Sequence, residues 1–487
     1  DEVMGVGALG LVNRGFDTVV KPNLEKSLAK SGCISCGQCV SVCPTGALQE
    51  RQTVAKEVPV ETEITGTTCS YCSVGCSLDL ETCGDMLIKA NPDKEGFVNK
   101  GLACGKGKWG FDCSMLEGKL EDPLIHEEGD DFRITDYHEA IATKYGKEAV
   151  AVAISDRYTN EEAYAFKKLA EVMGARTLCF NNRENGLEKV LGIDSSPNTI
   201  DELLSTDVIL MLGYKFEMNP IIQLKVKQAA ENGAKVVLVN PVDYEQERFE
   251  FATKTVYTEN DLNFLKSIAK ALIDGGKESS EDGFDAFKDS LKDVVVSEDA
   301  KEIAALYAGA KKAMIVFQQN LVTTDAATLI GDIALLSGHI GGARDGVLQL
   351  KAKNNSQGLI DMGIYHGAEA MDGVKALLVF GEDPKNVDLS GLEFLMVSDT
   401  HATETVAKAD VVLPGTGFAS VDGTYTNTER RLMPVEAAID EGIDLANWEI
   451  AAEIAYAYEV EFGWEDTADI SAEMDDTEPL YKYAEIG

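Results

Sequence analysis

Ala149-Val-Ala-Val-Ala-Ile-Ser155, followed by Thr159-Asn-Glu-Glu162, is the stretch that decides the fold. Six apolar residues in a row, with no polar alternation, describe a strand covered on both faces, as in a parallel sheet. Thr159 and Glu162 stand in capping-box order, so a helix is predicted to start directly after the strand. Its apolar face would carry Ala163, Phe166, Leu169 and Ala170. The pattern then recurs. Asp207-Val-Ile-Leu-Met-Leu-Gly213, a helix over 221–230, and Ala234-Lys-Val-Val-Leu-Val-Asn240-Pro241 give strand, helix and strand at βαβ spacing. Further strands are read at 312–317, 375–381, 394–398 and 409–414. The fold class is therefore α/β, with two parallel-sheet domains expected at 135–261 together with 385–455, and at 262–384. Residues 456–487 read as an acidic tail.

N-terminal to this body the chain carries two runs of cysteine. The first is Cys33-Ile-Ser-Cys36-Gly-Gln-Cys39-Val-Ser-Val-Cys43-Pro44. The second is Cys69-Ser-Tyr-Cys72-Ser-Val-Gly-Cys76, closed by Cys104 after 27 intervening residues. Thiolates at such short spacing can hold a [4Fe–4S] cube, one loop offering several ligands at once. Zinc or a dithiol pair is the bland reading of Cys-x-x-Cys. Neither needs the third cysteine of the first run or its trailing Cys-Pro. Eight of the eleven cysteines are thus candidate metal ligands. Cys83 and Cys113 fall outside the spacing and are expected to be buried thiols. Residues 1–55 read as a partial ferredoxin-like domain, 56–67 as a linker, and 65–134 as a second cluster domain. Lys106, in Lys100-Gly-Leu-Ala-Cys104-Gly-Lys106-Gly, is a candidate cofactor-binding cation; the alternative is a solvated lysine in a glycine-rich loop.

In two-cluster ferredoxins the last cysteine of a run like the first one ligates the other cube. Cys33, Cys36 and Cys39 would then need a fourth ligand, and Cys43 would serve a second cluster. No cysteine precedes Cys33, and the chain starts at Asp1. The expectation is that a longer polypeptide supplies the partner run. A single cluster on Cys33, Cys36, Cys39 and Cys43 is the alternative.

Charge and hydropathy narrow the function classes. The 487 residues include 83 acidic against 44 basic side chains, a net charge of −39. A polyphosphate would be repelled, so nucleic acid is not an expected partner. No stretch of apolar residues is long enough to span a membrane. Thiolate ligands in place of disulfides fit a reducing compartment, and a cytoplasmic location is expected.

The second cysteine run with Gly101-Leu-Ala-Cys-Gly-Lys106 resembles the N-terminal cluster domain of the molybdopterin oxidoreductase superfamily. Thr159-Asn-Glu-Glu162, Asn240-Pro241, Lys353-Asn-Asn-Ser-Gln-Gly358, Glu404-Thr405, Ala409-Asp-Val-Val-Leu-Pro414 and Asp422-Gly-Thr-Tyr-Thr-Asn-Thr-Glu-Arg-Arg431 extend the likeness. They are similar to landmarks of formate dehydrogenase alpha subunits and of the large iron–sulfur (G) subunit of complex I. Asp1-Glu-Val-Met-Gly-Val-Gly-Ala-Leu and Val12-Asn-Arg-Gly-Phe-Asp17 resemble the segment between the cysteine runs of the ferredoxin-like domain that NAD-linked formate dehydrogenases, complex I and iron-only hydrogenases share. No H-cluster cysteine set follows, so the chain is not expected to be such a hydrogenase.

Two departures bear on function. Catalytic members of the family carry a Cys-His or selenocysteine-His pair that holds molybdenum or tungsten. Here the corresponding stretch, Arg176-Thr-Leu-Cys179-Phe-Asn-Asn-Arg183-Glu-Asn, has one cysteine and no histidine. Cys179 is expected to be a buried thiol. The family's C-terminal cofactor-capping domain is also expected to be absent, since the chain ends at Gly487. His339 and Arg344, in Ser337-Gly-His-Ile-Gly-Gly-Ala-Arg344, are read as a remnant of the pterin surface, and Arg430 and Arg431 as structural cations.

The resemblance implies an electron-transfer subunit of a soluble NAD(P)H-linked oxidoreductase complex, carrying no catalytic residue of its own. Roughly two or three [4Fe–4S] clusters would involve this chain, and a Mo/W-bis-pterin is not expected. The implied partners are an NADH-oxidising flavoprotein subunit, a small thioredoxin-like iron–sulfur subunit, and a ferredoxin or further redox subunit. A formate dehydrogenase alpha subunit with a Mo/W-pterin site is the alternative.

Overall fold

Parallel pairing gathers the apolar strands into two sheets in a computed structural model that describes residues 4, 6–22, 27–50, 61–111, 118–127, 131–135, 149–182, 186–243, 250–482 and 485–486. Val150–Ile154 is buried at every position and runs parallel between Ala376–Phe380 and Arg176–Leu178. Phe394–Asp399 and Val411–Pro414 extend that sheet in parallel. Leu124–Glu127 and Asp131–Ile134 close its edge antiparallel. The second sheet has Val208–Leu212 at its centre, flanked by Lys235–Pro241 and Ala313–Gln318. Lys254–Thr258 and Gly346–Leu350 are its edges, and all five strands are parallel.

The sheets divide the chain differently from the expected 135–261 with 385–455 against 262–384. Strands within 208–258 pair with those at 313–318 and 346–350, whereas 376–380 pairs with 150–154. The second sheet is therefore an insertion between Leu178 and Ala376 of the first. Strand–helix alternation is the same on both sides of each crossing. It does not reveal which sheet a strand joins, because that is set by lateral pairing.

Local chemistry explains the first crossover. Thr159 Oγ1 accepts from the Glu162 N–H at 3.1 Å, and Glu162 Oε2 accepts from the Thr159 N–H at 2.7 Å. The helix Asn160–Met173 starts there and stops at Gly174, which takes the left-handed conformation that glycine allows. Ala163, Phe166, Leu169 and Ala170 are all buried on the sheet. Phe166 stacks on Phe380 with centroids 3.9 Å apart; burying such a ring contributes roughly 1.5–3 kcal/mol. Thr467–Thr477, expected within an acidic tail, is a helix whose Ile470 and Met474 enter the same core. Asp469, Asp475 and Asp476 are exposed on its other side, which is why composition alone reads as a tail.

The cysteine region sits on a three-stranded antiparallel sheet of Glu63–Thr68, Ser77–Cys83 and Met86–Pro92. Its first strand covers the end of the expected linker. Cys83 is exposed rather than buried, because it ends a strand whose pleat alternates and turns at Gly84. Cys113 lies outside the described residues. Among the described residues no helix is long and apolar enough to cross a membrane.

Candidate iron–sulfur centres

The loop 69–76 leaves one strand of the small sheet and returns as the next. The Cys69 N–H donates to the Cys76 carbonyl at 2.8 Å and closes it. Gly75 has φ +73°, and a Cβ there would lie 3.0 Å from atoms of both Asn427 and Met433. Glycine is required by conformation and by space.

The loop is braced by residues distant in sequence. Ser73 Oγ donates to the Lys351 carbonyl at 2.9 Å, and the Thr428 N–H donates to the Ser73 carbonyl at 2.7 Å. Asn427 Nδ2 donates to the Val74 carbonyl at 3.2 Å. The network continues into the strand ends. Asn355 Nδ2 donates to the Tyr158 carbonyl and Asn355 Oδ1 accepts from the Thr426 N–H, both at 2.8 Å. Asn160 Nδ2 donates to the Thr424 and Thr426 hydroxyls at 3.0 Å. The motifs at 159–162, 353–358 and 422–431 thus form one polar hub beneath the cysteine loop. Buried and satisfied networks of this kind fix a unique geometry.

Cys104 precedes the short helix Gly105–Trp109 and completes the set. Cys69, Cys72, Cys76 and Cys104 line one pocket with Tyr71, Lys106, Met218 and Ile221. Burial pushes the Cys69 and Cys76 thiols far up and Cys72 up to about 11, and mutual repulsion adds to each. Four converging thiols, three of which resist ionisation on their own, suit iron, whose charge stabilises the thiolates. Lys106 Nζ donates to the Glu217 carbonyl at 3.0 Å. Its charge opposes the rise at Cys72 and also reaches Lys353. The candidate cation therefore lies between the cluster pocket and the strand ends.

In the first run Cys43 contrasts with Cys36 and Cys39. Burial is the main cause that raises Cys36 and Cys39, and repulsion from Cys33 adds to both. Cys43 is instead lowered to about 7, chiefly by the Leu48 N–H and then by the Thr45 hydroxyl and N–H. Cys43 is close enough to act on Cys39, but its nest of N–H donors sets it in different surroundings from Cys36 and Cys39, as a ligand of another cluster would be.

The two cysteine sets abut. Trp109 Nε1 donates to the Ser35 carbonyl, and Gln38 Nε2 donates to the Gly101 carbonyl at 2.7 Å. Cys36 and Cys72 border the same apolar cluster. Lys108 is 1% exposed, pairs with Glu50 at 2.6 Å, and donates to the Ala90 carbonyl at 2.9 Å. A buried amine needs such partners. It ties the first cysteine domain to the small sheet.

Other candidates have structural roles. His339 Nδ1 lies 3.0 Å from Asp345 Oδ1 and Nε2 lies 2.8 Å from the Tyr307 carbonyl. Asp345 directly precedes the strand Gly346–Leu350. The 337–344 loop therefore sits at the amino ends of the strands, whereas ligands of open sheets bind at the carboxyl ends. It is not part of the strand-end surface that the sequence suggested. Arg430 pairs with Asp361 at 3.0 Å and Arg431 with Glu429 at 3.3 Å, as read. Cys179 is fully buried, as expected.

The carboxyl ends hold residues that the sequence reading missed. Arg157 donates to the Ser70 carbonyl at 2.9 Å and lies over the Tyr71 ring. A cleft of about 290 Å³ runs from Ser70 and Arg157 past Gly381, Asp399 and Thr416 to Asn447. Burial pushes Asp399 up to about 6. The buried Thr416 hydroxyl has no hydrogen-bond partner among the described residues, a group that a polar ligand would complete. Position after strands 150–154, 376–380 and 394–399 was the available signal.

Three family models match this chain. One for molybdopterin oxidoreductase covers residues 133–457, one for the molybdopterin oxidoreductase Fe4S4 domain covers 62–113, and a 4Fe-4S binding domain covers 30–49. The chain belongs to the molybdopterin oxidoreductase family. The F420-dependent formate dehydrogenase 2 subunit alpha of Methanococcus maripaludis is 27% identical over 81% of this chain and 70% of that protein. The NADPH-Fe(3+) oxidoreductase subunit alpha of Geobacter sulfurreducens is 25% identical over 93% of this chain and 62% of that protein. A probable oxidoreductase of Bacillus subtilis, YjgC, is 26% identical over 93% of this chain, which spans 58% of its length. Acetylene hydratase from Pelobacter acetylenicus shares the fold, with a TM-score of 0.61 and 13% identity over 82% of this chain and 70% of that one. At one end of the cleft the polar lining fits the family's pterin cofactor: the unpartnered Thr416 hydroxyl and Asp399 would hold polar groups of it beside Arg157, whereas Asn447 is already bonded to Thr416 and Glu162.

Proposed function

We propose that this chain is the iron–sulfur electron-transfer subunit of an NAD(P)H-linked oxidoreductase complex. The observation that carries the reading is the contact between the two cysteine sets through Gly101 and Trp109, on either side of Cys104 in the Cys69 pocket. Cys33, Cys36 and Cys39 would hold one cube with a fourth ligand from another segment, and Cys43 would serve a further cube. Cys69, Cys72, Cys76 and Cys104 would hold the inner cube. Electrons would enter from a flavin-bearing NADH-oxidising partner or a ferredoxin and leave past Lys106. A thioredoxin-like iron–sulfur subunit fits the same assembly, and the cytoplasm fits its chemistry.

In this reading the molybdenum site is lost. The support is the stretch 176–185, with one cysteine, no histidine, and Cys179 engaged with the Glu382 carboxyl at 3.5 Å. A formate dehydrogenase alpha subunit is the second reading. The names of the relatives from Methanococcus maripaludis and Methanocaldococcus jannaschii and the polar cleft favour it. Elemental analysis of the anaerobically purified protein separates the two. The relay reading expects iron and sulfide for at least two cubes, about eight atoms of each per chain, with only traces of molybdenum and tungsten. Near-stoichiometric molybdenum or tungsten would establish the second reading instead.

A further inference from the structure

Three neighbouring parallel strands of the first sheet each end in a buried metal-ligating side chain. Asp156 follows Val150–Ile154, Cys179 follows Arg176–Leu178, and Glu382 follows Ala376–Phe380. Their exposures are 0%, 0% and 3%. One donor atom from each lies within 4.8 Å of the others. The proposed electron path uses none of the three.

The donors are held in place. Glu382 Oε2 accepts from the Phe180 N–H and Oε1 from Asn181 Nδ2, both at 3.1 Å. Asp156 Oδ2 accepts from the Ser356 hydroxyl at 2.5 Å. That leaves Asp156 Oδ1 buried with no hydrogen-bond partner among the described residues. The Asp156 charge acts on both Cys179 and Glu382, so its carboxylate faces them. Burial favours the protonated form of all three groups, and an unpartnered carboxylate oxygen enclosed beside two further ionisable ligands is costly unless a cation completes it.

We infer that Asp156, Cys179 and Glu382 form a binding site for a thiophilic divalent cation of the zinc type. Tetrahedral zinc with a Zn–S bond of about 2.3 Å and Zn–O bonds of about 2.0 Å places sulfur and oxygen ligands roughly 3.5 Å apart. Cys179 Sγ and Glu382 Oε1 are 3.5 Å apart. A soft thiolate excludes calcium and magnesium, which take oxygen ligands, and two carboxylates suit a borderline ion. Charge also balances. Lys353 and Arg157 are close enough to act on Asp156, and two cations with a divalent ion offset three anionic ligands with one positive charge to spare. Asn181 and Ser356 orient the carboxylates from outside, as outer-shell groups of metal sites do. The site differs from the cube pockets in mixing one sulfur with oxygens.

The test uses the whole, cluster-loaded protein and zinc alone as the probe. The protein is equilibrated anaerobically with micromolar zinc, dialysed, and analysed for zinc and iron. The site expects about one zinc per chain, with an absorption-edge spectrum showing one sulfur near 2.3 Å among oxygen or nitrogen ligands. Cys179→Ala and Glu382→Gln should each weaken zinc binding about tenfold or more while iron content is kept. If either variant fails to fold, Asp156→Asn supplies the same comparison. Cys72→Ala, which empties the inner cube pocket, should keep its zinc. Zinc that survives Cys179→Ala, a sulfur-only shell, or no zinc retained by the unaltered protein would each overturn the site. The last result would leave a protonated carboxyl–thiol cluster in its place.

Discussion

The two cysteine sites carry the same ligand chemistry in opposite surroundings. The Cys69 site is closed by hydrogen bonds reaching as far as Thr428, and Cys69 and Cys76 are buried. The first run is held largely by its own turn, and all four of its cysteines are partly exposed. Leu11, Phe16, Val20 and Val42 are exposed on the same N-terminal piece. Identical thiols thus make an interior centre in one place and a surface centre in the other. Burial, charge and hydrogen bonding around the sulfurs set a cluster's potential, so the two should differ in it and in whom they can meet.

Loss of the interior centre is the largest expected effect. Cys72→Ala should remove about four irons per chain and abolish electron transfer from NAD(P)H through the assembled complex. Flavin reduction should persist, since it lies upstream, and the sheets should stay folded on their own cores. Stopped-flow reduction beside steady-state turnover measures both, and normal turnover would break the comparison by placing the interior centre off the path. The next effect concerns the surface centre. Cys36→Ser and Cys43→Ser should each alter a different paramagnetic cube signal in the full-length protein, because the last cysteine of such a run ligates the other cluster. One signal altered by both would show a single four-cysteine cube. The smallest effect sharpens the comparison. Lys106→Gln removes a positive charge near Cys72, which destabilises the more negative reduced cluster. Its potential should fall by on the order of 50 mV, with the Cys36 centre unmoved, as read by a redox titration followed by paramagnetic resonance.

Much of this was legible in the residues. The capping box at Thr159 and Glu162 and the runs at 150–154 and 208–212 appear in the structure where they were read, because each depends on neighbours within one turn or one strand. What was not legible depends on long-range pairing. The insertion of the second sheet could not be read, since 150–154 and 313–318 look alike as strings. His339 and Arg344 were assigned to the wrong end of their sheet for the same reason: a glycine-rich loop reads alike at either end of a strand. Asp156 and Glu382 carry no spacing signal, as only the adjacency of their strands brings them together.

That insertion sets a timetable for synthesis. Val150–Ile154 can take Arg176–Leu178 on one side soon after both are made, but its other neighbour is Ala376–Phe380. About 220 residues separate the two, which at ribosomal speeds of about 5–20 residues per second is roughly 10–45 s. Through that interval a strand with five fully apolar positions keeps an open edge, the arrangement most prone to pairing with another chain. The inserted sheet can finish meanwhile, since its strands lie wholly between the two. Of the two parallel sheets, the one begun first is therefore completed last, and it is the nascent chain, more than the finished protein, that needs protection from its neighbours.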